Sequence, residues 1–137
     1  MQTFNTSKTI LVVDQYEPVC QLIQLLLVEA GYDVHVSTTG RGAVKLAQAV
    51  PQIHVTVCGV GLQDMPAEEC VEECAKCHPD SAILFISGSA EMIASSLPYT
   101  ILYKPFTINE LCTAVRSALR PALRIPYEQA AGVLILQ

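Results

Sequence analysis

Basic charge and long apolar runs are both scarce in this chain of 137 residues. Lysine and arginine number 8 against 13 aspartates and glutamates, so the formal net charge is −5 at pH 7. This balance offers no basic surface for nucleic acid, and we expect no nucleic-acid binding by this domain. No apolar run approaches the roughly 20 residues of a membrane-spanning helix, and the first residues lack the charged-then-apolar order of a secretory signal. We therefore expect a cytoplasmic protein without membrane contact.

Charged residues of both signs make up only 15% of the chain, whereas hydrophobic residues make up 51%. That composition argues against disorder and suits a well-filled core. The length fits one domain, which we assign to residues 1–121, followed by a C-terminal tail or the start of a linker at residues 122–137. The tail ends in an apolar run. The sequence leaves open whether this run packs on the same domain, packs on a second copy or continues into a linker.

Short apolar runs alternate with segments of helical spacing along the chain, which is typical of strands and helices in a parallel α/β fold. The expected strands are Thr9–Val13, Asp33–Ser37, Ile53–Cys58, Ala82–Ser87 and Thr100–Tyr103. The expected helices are Glu17–Ala30, Gly42–Val50, Pro66–Cys77, Ala90–Leu97 and Thr107–Leu119. This alternation predicts a parallel sheet covered by helices on both faces, with the flavodoxin-like strand order 2-1-3-4-5. Its functional crevice would lie at the carboxyl ends of strands 1 and 3.

Four motifs lie at the ends of the predicted strands. They are Ile10-Leu11-Val12-Val13-Asp14-Gln15, Gly59-Val60-Gly61-Leu62-Gln63-Asp64-Met65-Pro66-Ala67, Ala82-Ile83-Leu84-Phe85-Ile86-Ser87-Gly88-Ser89-Ala90 and Ile101-Leu102-Tyr103-Lys104-Pro105-Phe106. Each resembles a motif of response-regulator receiver domains (CheY-like proteins). Together they cover about residues 9 to 119, in the family's order. The resemblance implies a flavodoxin-like, three-layer α/β/α sandwich and a role in bacterial signal transduction.

The family's chemistry is the transfer of a phosphoryl group from a partner histidine to an aspartate that ends the third strand. A Mg²⁺ ion held by acids after strand 1 and by that aspartate neutralises the phosphoryl oxygens, while a hydroxyl and a lysine make further contacts. By resemblance, Asp14 matches the first acid, Ser87 the hydroxyl and Lys104 the lysine. Gln15 replaces the second acid, and Gly59 replaces the phosphoryl-accepting aspartate.

Charge counting decides what such a site can do. Gly59 has no side chain, so this position supplies neither a nucleophile nor a carboxylate ligand. An intact site has three carboxylates and one lysine, and a divalent cation offsets its negative charge, whereas Asp14 and Lys104 alone sum to zero. We therefore expect no phosphorylation at residue 59, weak or absent Mg²⁺ binding, no other cofactor and no enzymatic activity. We also expect Lys104 to pair with Asp14, directly or through water or Gln15.

The prediction is therefore a degenerate receiver, or pseudo-receiver, that acts through protein–protein contacts. Its partner would be a histidine kinase, a regulator or an output domain, and a second copy forming a homodimer is another candidate. One alternative is a working phosphoreceiver with another acceptor, such as Asp64 or Asp14. A second alternative is a small-molecule or metal-binding module that uses the room left by Gly59 in the crevice.

Three other signals have simpler explanations. Cys70, Cys74 and Cys77 have the CxxxCxxC spacing of radical S-adenosylmethionine enzymes, but the same spacing forms one helix face, which coincides with the predicted inward face. We favour core packing of reduced thiols over an iron or zinc site with His78 as fourth ligand. We also interpret Asp64 as a solvated turn residue, and Glu17 as a helix-start glutamate rather than a surrogate acid.

Overall fold

Strands and helices alternate along the chain in the computed structural model, which describes residues 7–88 and 100–120. The elements are β1 (Thr9–Val13), α1 (Glu17–Glu29), β2 (Asp33–Ser37), α2 (Gly40–Ala49), β3 (Val55–Gly59), α3 (Ala67–Cys77), β4 (Ala82–Ser87), β5 (Thr100–Tyr103) and α4 (Ile108–Leu119). The helix expected at Ala90–Leu97 and the tail at residues 122–137 lie outside the described residues. The boundary between domain and tail therefore stays a prediction.

The five strands form one sheet in the order β2-β1-β3-β4-β5, and every pairing is parallel. This arrangement confirms the predicted order 2-1-3-4-5. In a parallel sheet the carboxyl ends of all strands lie at one edge. The strand order reverses between β1 and β3, and ligands of such sheets bind in the crevice at that reversal.

Each face of the sheet carries its own hydrophobic core. In β1, Leu11 and Val13 belong to one core while Ile10 and Val12 belong to the other, because successive side chains of a strand point to opposite faces. The first core includes residues of α2 and α3, and the second includes residues of α1 and α4. The molecule is therefore the predicted three-layer α/β/α sandwich.

Among the described residues, no helix has the length and hydrophobicity needed to span a bilayer.

Several element ends differ from the prediction by one residue, and the starts of α2 and β3 differ by two for reasons of hydrogen bonding. Helix α2 begins at Gly40 rather than Gly42, because Thr39 is its N-cap and the Thr39 side chain accepts a hydrogen bond from the amide of Gly42. Strand β3 begins at Val55 rather than Ile53. The Ile53 amide donates to Nδ1 of His78 (3.3 Å) and so lies outside the strand ladder, although the Ile53 side chain is buried.

Candidate functional site

The register of the sheet brings the predicted site residues together at the carboxyl edge. Val13 in β1 pairs with Cys58 in β3, so the next residues along these strands, Asp14 and Gly59, are neighbours. At the other side, Ser87 ends β4, and its carbonyl accepts a hydrogen bond from the amide of Lys104 at 2.7 Å. Residues from four strand ends thus meet in one crevice, although they are far apart in the sequence.

An ion pair between Asp14 and Lys104 lies at the centre of this crevice. Nζ of Lys104 is 3.1 Å from Oδ2 of Asp14, and the Asp14 side chain is only 3% exposed. The other carboxylate oxygen, Oδ1, accepts a hydrogen bond from the amide of Tyr16 at 2.9 Å. The Tyr16 ring centroid lies 5.6 Å from Nζ of Lys104, within cation–π range. Both oxygens of Asp14 are therefore engaged, and the predicted pairing is present as a direct contact.

Gly59 is the residue that makes room for this arrangement. A Cβ built on Gly59 would lie 2.5 Å from Oδ2 and 3.1 Å from Cγ of Asp14. Such separations are too short for real Cβ contacts, so the Asp14 carboxylate occupies the space that a side chain at position 59 would need. The expectation that Gly59 leaves extra room in the crevice is therefore wrong, because Asp14 fills that room while it pairs with Lys104.

The remaining predicted residues add no charge to the crevice. Ser87 is 2% exposed at the end of β4. Oε1 of Gln15 is buried and has no hydrogen-bond partner among the described residues. Mg²⁺ binds carboxylate and phosphate oxygens and gives up its water reluctantly. Among the described residues at these positions, Asp14 is the one carboxylate and is already bonded to an ammonium group and an amide, while Gln15 brings only a neutral amide; this donor set does not fit Mg²⁺.

Tyr16 and Cys20 also contact the ion pair or its backbone, and our sequence analysis missed both. The Cys20 thiol donates to the carbonyl of Asp14 at 3.2 Å and lies 3.4 Å from the carbonyl of Ser37. Burial raises the pKa of Cys20, so the thiol stays neutral beside the carboxylate. The sequence signal was the position of Cys20 on the inward face of α1, where a small hydrophobe is expected.

Relatives of known function match most of this chain but only part of their own length. The sensor kinase CckA of Brucella abortus (strain 2308) is 30% identical over 119 residues, which is 82% of this chain and 13% of the kinase. The transcriptional regulatory protein CreB of Escherichia coli (strain K12) is 27% identical over 119 residues, which is 82% of this chain and 51% of that protein. The chain thus spans about half or less of each of these relatives. No protein-family model matches it.

Solved structures of receiver domains have the same fold as this chain. A response regulator receiver protein from Sinorhizobium medicae WSM419 has a TM-score of 0.74 and 27% identity, covering 83% of this chain and 95% of its own. The receiver domain of the hybrid histidine kinase CckA has a TM-score of 0.72 at 23% identity, covering 82% and 99%. This chain is therefore similar, in sequence and in fold, to response-regulator receiver (CheY-like) domains.

Asp64 has a structural role in this domain that the sequence did not indicate. Its Oδ1 and Oδ2 accept hydrogen bonds from the amides of Gly40 and Arg41, each at 2.9 Å. These amides belong to the first turn of α2 and have no partner within the helix. The hydrogen bonds from Arg41 and Gly40 lower the pKa of Asp64. Asp64 lies in the loop after β3 and is partly exposed, as predicted, and its two hydrogen bonds also tie this loop to α2.

The motif formed by Cys70, Cys74 and Cys77 lies on α3, as predicted, but only in part on the inward face of that helix. Cys70 and Cys74 are buried, whereas Cys77 is exposed at the last residue of the helix, where fewer neighbours cover a side chain. Hydrogen bonding to Cys70, followed by burial, raises the pKa of Cys74. Both ring nitrogens of His78 are occupied by backbone groups, the Ile53 amide and the Ala47 carbonyl. Among the described residues, no group of three or more potential ligands could hold a metal ion.

Glu17 lies in the first turn of α1, as the sequence predicted for a helix-start glutamate. Its side chain is exposed, and Oε2 accepts a hydrogen bond from Nε2 of Gln21 at 3.2 Å. The Glu17 carboxylate is thus bonded to a side chain one turn further along α1, on the outer surface of the helix. The Asp14 carboxylate, by contrast, is buried within the crevice.

Replacing Gly59 with alanine should destabilise the fold by about 1–3 kcal/mol, the usual cost of overpacking a filled site. The new Cβ must push the Asp14 carboxylate away from Lys104. Urea denaturation of the wild type and the variant measures the loss. The loss should shrink in an Asp14→Ala background, because the obstructing atoms are then absent and the two changes become non-additive.

Gly88→Ala is the matched control for this experiment, since Gly88 directly follows β4 at the same carboxyl edge at which Gly59 ends β3. In the part of the chain that the structure describes, no atom lies within 4 Å of a Cβ built there. Its substitution should change stability little. Equal losses at the two glycines, or an unchanged loss in the Asp14→Ala background, would show that the Asp14 carboxylate is not the obstacle.

Replacing Asp64 with alanine should give a stability loss that depends on pH. A carboxyl group with a lowered pKa in the folded state stabilises the fold above its unfolded pKa of about 3.9, and this contribution disappears as the pH falls through the folded pKa. The difference in unfolding free energy between wild type and Asp64→Ala should therefore be full at neutral pH and shrink below about pH 4. Asp80→Ala, in the exposed turn before β4, is the control. A difference independent of pH would contradict the helix-capping role.

Proposed function

We propose that this chain is an atypical receiver domain that is not phosphorylated at the usual site and acts through protein–protein contacts in bacterial signalling. One observation carries the proposal: the Asp14–Lys104 ion pair fills the space beside Gly59, where the family's acceptor side chain would lie. At the carboxyl edge of the sheet, a neutral ion pair thus takes the place of the family's nucleophile and its bound cation.

Phosphoryl transfer to a receiver needs a carboxylate nucleophile at the end of β3, and glycine provides none. It also needs positive charge available for the phosphoryl oxygens. The ammonium group of Lys104 is engaged with a carboxylate that is 3% exposed. Releasing Lys104 toward an incoming anion would leave that buried carboxylate without its partner, which is costly. Asp14 itself is a poor substitute acceptor, because both its oxygens already accept hydrogen bonds.

We also propose that this domain acts without bound Mg²⁺. Of the five positions Asp14, Gln15, Gly59, Ser87 and Lys104, only Asp14 carries an acid, and Gln15 brings an uncharged amide. A divalent cation would have to compete with Lys104 for Asp14 and would meet positive charge at close range. We therefore infer weak Mg²⁺ affinity and no cofactor for this domain, and no enzymatic activity of its own.

The partners that we propose follow from the kind of protein in which similar domains occur. One relative is a sensor kinase and another is a transcriptional regulatory protein. A histidine kinase, a regulator or an output domain is thus the proposed partner, with a homodimer as a further form. A net charge of −5 supports binding to proteins rather than to nucleic acid, and a cytoplasmic location belongs to this proposal.

Treatment of the purified protein with acetyl phosphate and Mg²⁺, followed by intact-mass analysis, tests the proposal. We expect no gain of a phosphoryl group, because neither position 59 nor the engaged Asp14 can accept one. A receiver domain with an aspartate at the end of its third strand is the positive control. A phosphoryl adduct on this chain would instead support the alternative of a working receiver, and peptide mapping would show whether Asp14, Asp64 or another residue carries it.

Restoring the acceptor alone should not restore efficient phosphorylation. In Gly59→Asp, the new side chain displaces Asp14, and position 15 still lacks a carboxylate for Mg²⁺. The double variant Gly59→Asp with Gln15→Asp should gain more Mg²⁺-dependent phosphoryl transfer in the same mass assay. Gly59→Asn with Gln15→Asp, which has similar volume but no nucleophile at position 59, is the matched control. Full activity of the single Gly59→Asp variant would show that the metal argument is wrong.

A small-molecule or metal-binding module is the other alternative, and the unpartnered Oε1 of Gln15 is the observation that favours it. A ligand that binds the folded state raises the melting temperature with its concentration. Thermal unfolding with increasing Mg²⁺ separates this alternative from the proposal, which expects no shift beyond that produced by an equal ionic strength of sodium chloride.

A further inference from the structure

An exposed apolar stripe runs along the outer face of α1. It consists of Leu22, Leu25 and Val28, which are 51%, 57% and 50% exposed. Residues three apart on a helix are surface neighbours, so these side chains form one continuous strip about 9 Å long along the helix axis. The opposite face of the same helix is already packed against the sheet. An uncovered apolar strip of this kind marks an interaction site.

The charge of α1 restricts what can cover the stripe. Between Glu17 and Glu29 the helix carries no lysine or arginine, and its last turn contains no basic residue. Glu29 is exposed at the carboxyl end of the helix, where the helix dipole adds further negative charge. A segment that combines apolar side chains with positive charge near this end is therefore the best match.

The tail of the same chain begins beside that end of α1. Leu119, the last residue of α4, packs against the same core as Leu26 and Tyr32 at the carboxyl end of α1. Arg116 of α4 lies close enough to Tyr32 to oppose the rise in its pKa, which burial causes. Helices α1 and α4 each follow a strand end at the carboxyl edge, so both run back toward the opposite edge of the sheet.

The sequence of the tail has the two required properties in the required order. Arg120 and Arg124 come first, and the uncharged apolar segment at residues 130–136 follows, with the sequence Ala-Ala-Gly-Val-Leu-Ile-Leu. Nine residues, 121–129, lie between Arg120 and the apolar segment, and they span up to about 30 Å when extended. This length exceeds the length of the stripe, so the apolar segment can reach all of it while the arginines remain near Glu29.

We propose that residues 130–136 dock on the stripe formed by Leu22, Leu25 and Val28 of the same chain. Apolar burial holds the segment there, and Arg120 and Arg124 face the negative end of α1. The tail would then cover an apolar surface of the receiver domain in its own molecule. The proposal does not depend on the chemistry of the Asp14–Lys104 site.

Photocrosslinking of the full chain tests the docking. Leu25 is replaced by benzoylphenylalanine, the protein is irradiated, and the products are separated by size and mapped by mass spectrometry. We expect a crosslink from position 25 to residues 130–136 within a product of monomer mass. Benzoylphenylalanine at Glu69, an exposed position of α3 on the other side of the sheet, is the control and should not react with the tail.

Changes in the tail complete the test. Leu134→Asp with Leu136→Asp should reduce the intrachain crosslink about tenfold, a loss equivalent to about 1.4 kcal/mol of docking free energy. Leu134→Met with Leu136→Met keeps the segment apolar and should leave the yield unchanged, and far-UV circular dichroism checks that both variants keep the fold. A crosslinked dimer would show that a second copy covers the stripe. A dimer product, no crosslink to the tail, or equal yields in the two variants would each overturn the proposal.

Discussion

The requirement that a buried charge be paired governs the centre of this domain. Asp14 lies at the end of β1 with its side chain 3% exposed, and a carboxylate in that environment needs a cation or several hydrogen bonds. Lys104 supplies the cation at 3.1 Å, and the amide of Tyr16 supplies a hydrogen bond to the other oxygen. The carboxylate reaches this position because Gly59 has no Cβ to obstruct it. Charge pairing and the missing side chain are therefore two parts of one arrangement.

The ion pair also connects elements that the sheet alone would hold less firmly. Lys104 follows β5, and its amide bonds to the Ser87 carbonyl at the end of β4, while its ammonium group reaches Asp14 at the end of β1. Tyr16 is the N-cap residue of α1, so the hydrogen bond from its amide to Asp14 fixes the start of that helix. The ends of β1, β4 and β5 and the start of α1 thus share one bonded network in the crevice.

Sequence reasoning was most successful where burial pattern and chain order determine the outcome. The apolar runs gave the strands and their parallel order, and counting charges gave the pairing of Asp14 with Lys104. It failed where the outcome depends on side-chain direction. The Asp14 carboxylate fills the room beside Gly59, and the Asp64 carboxylate bonds to the first turn of α2. A sequence pattern reports which residues are buried, but not which neighbour a carboxylate turns toward.

The identities of residues 15 and 59 are consistent with each other on electrostatic grounds. Among the described residues, Lys104 and the buried carboxylate of Asp14 form a pair in the crevice whose charges cancel without a bound cation. A second carboxylate at position 15 would compete with Asp14 for Lys104, and the excess negative charge would need a metal ion or a proton. Gln15 avoids that excess, and Gly59 gives Asp14 the space to reach Lys104. A site with this composition is stable without Mg²⁺, whereas restoring either acid alone would create an unpaired buried charge.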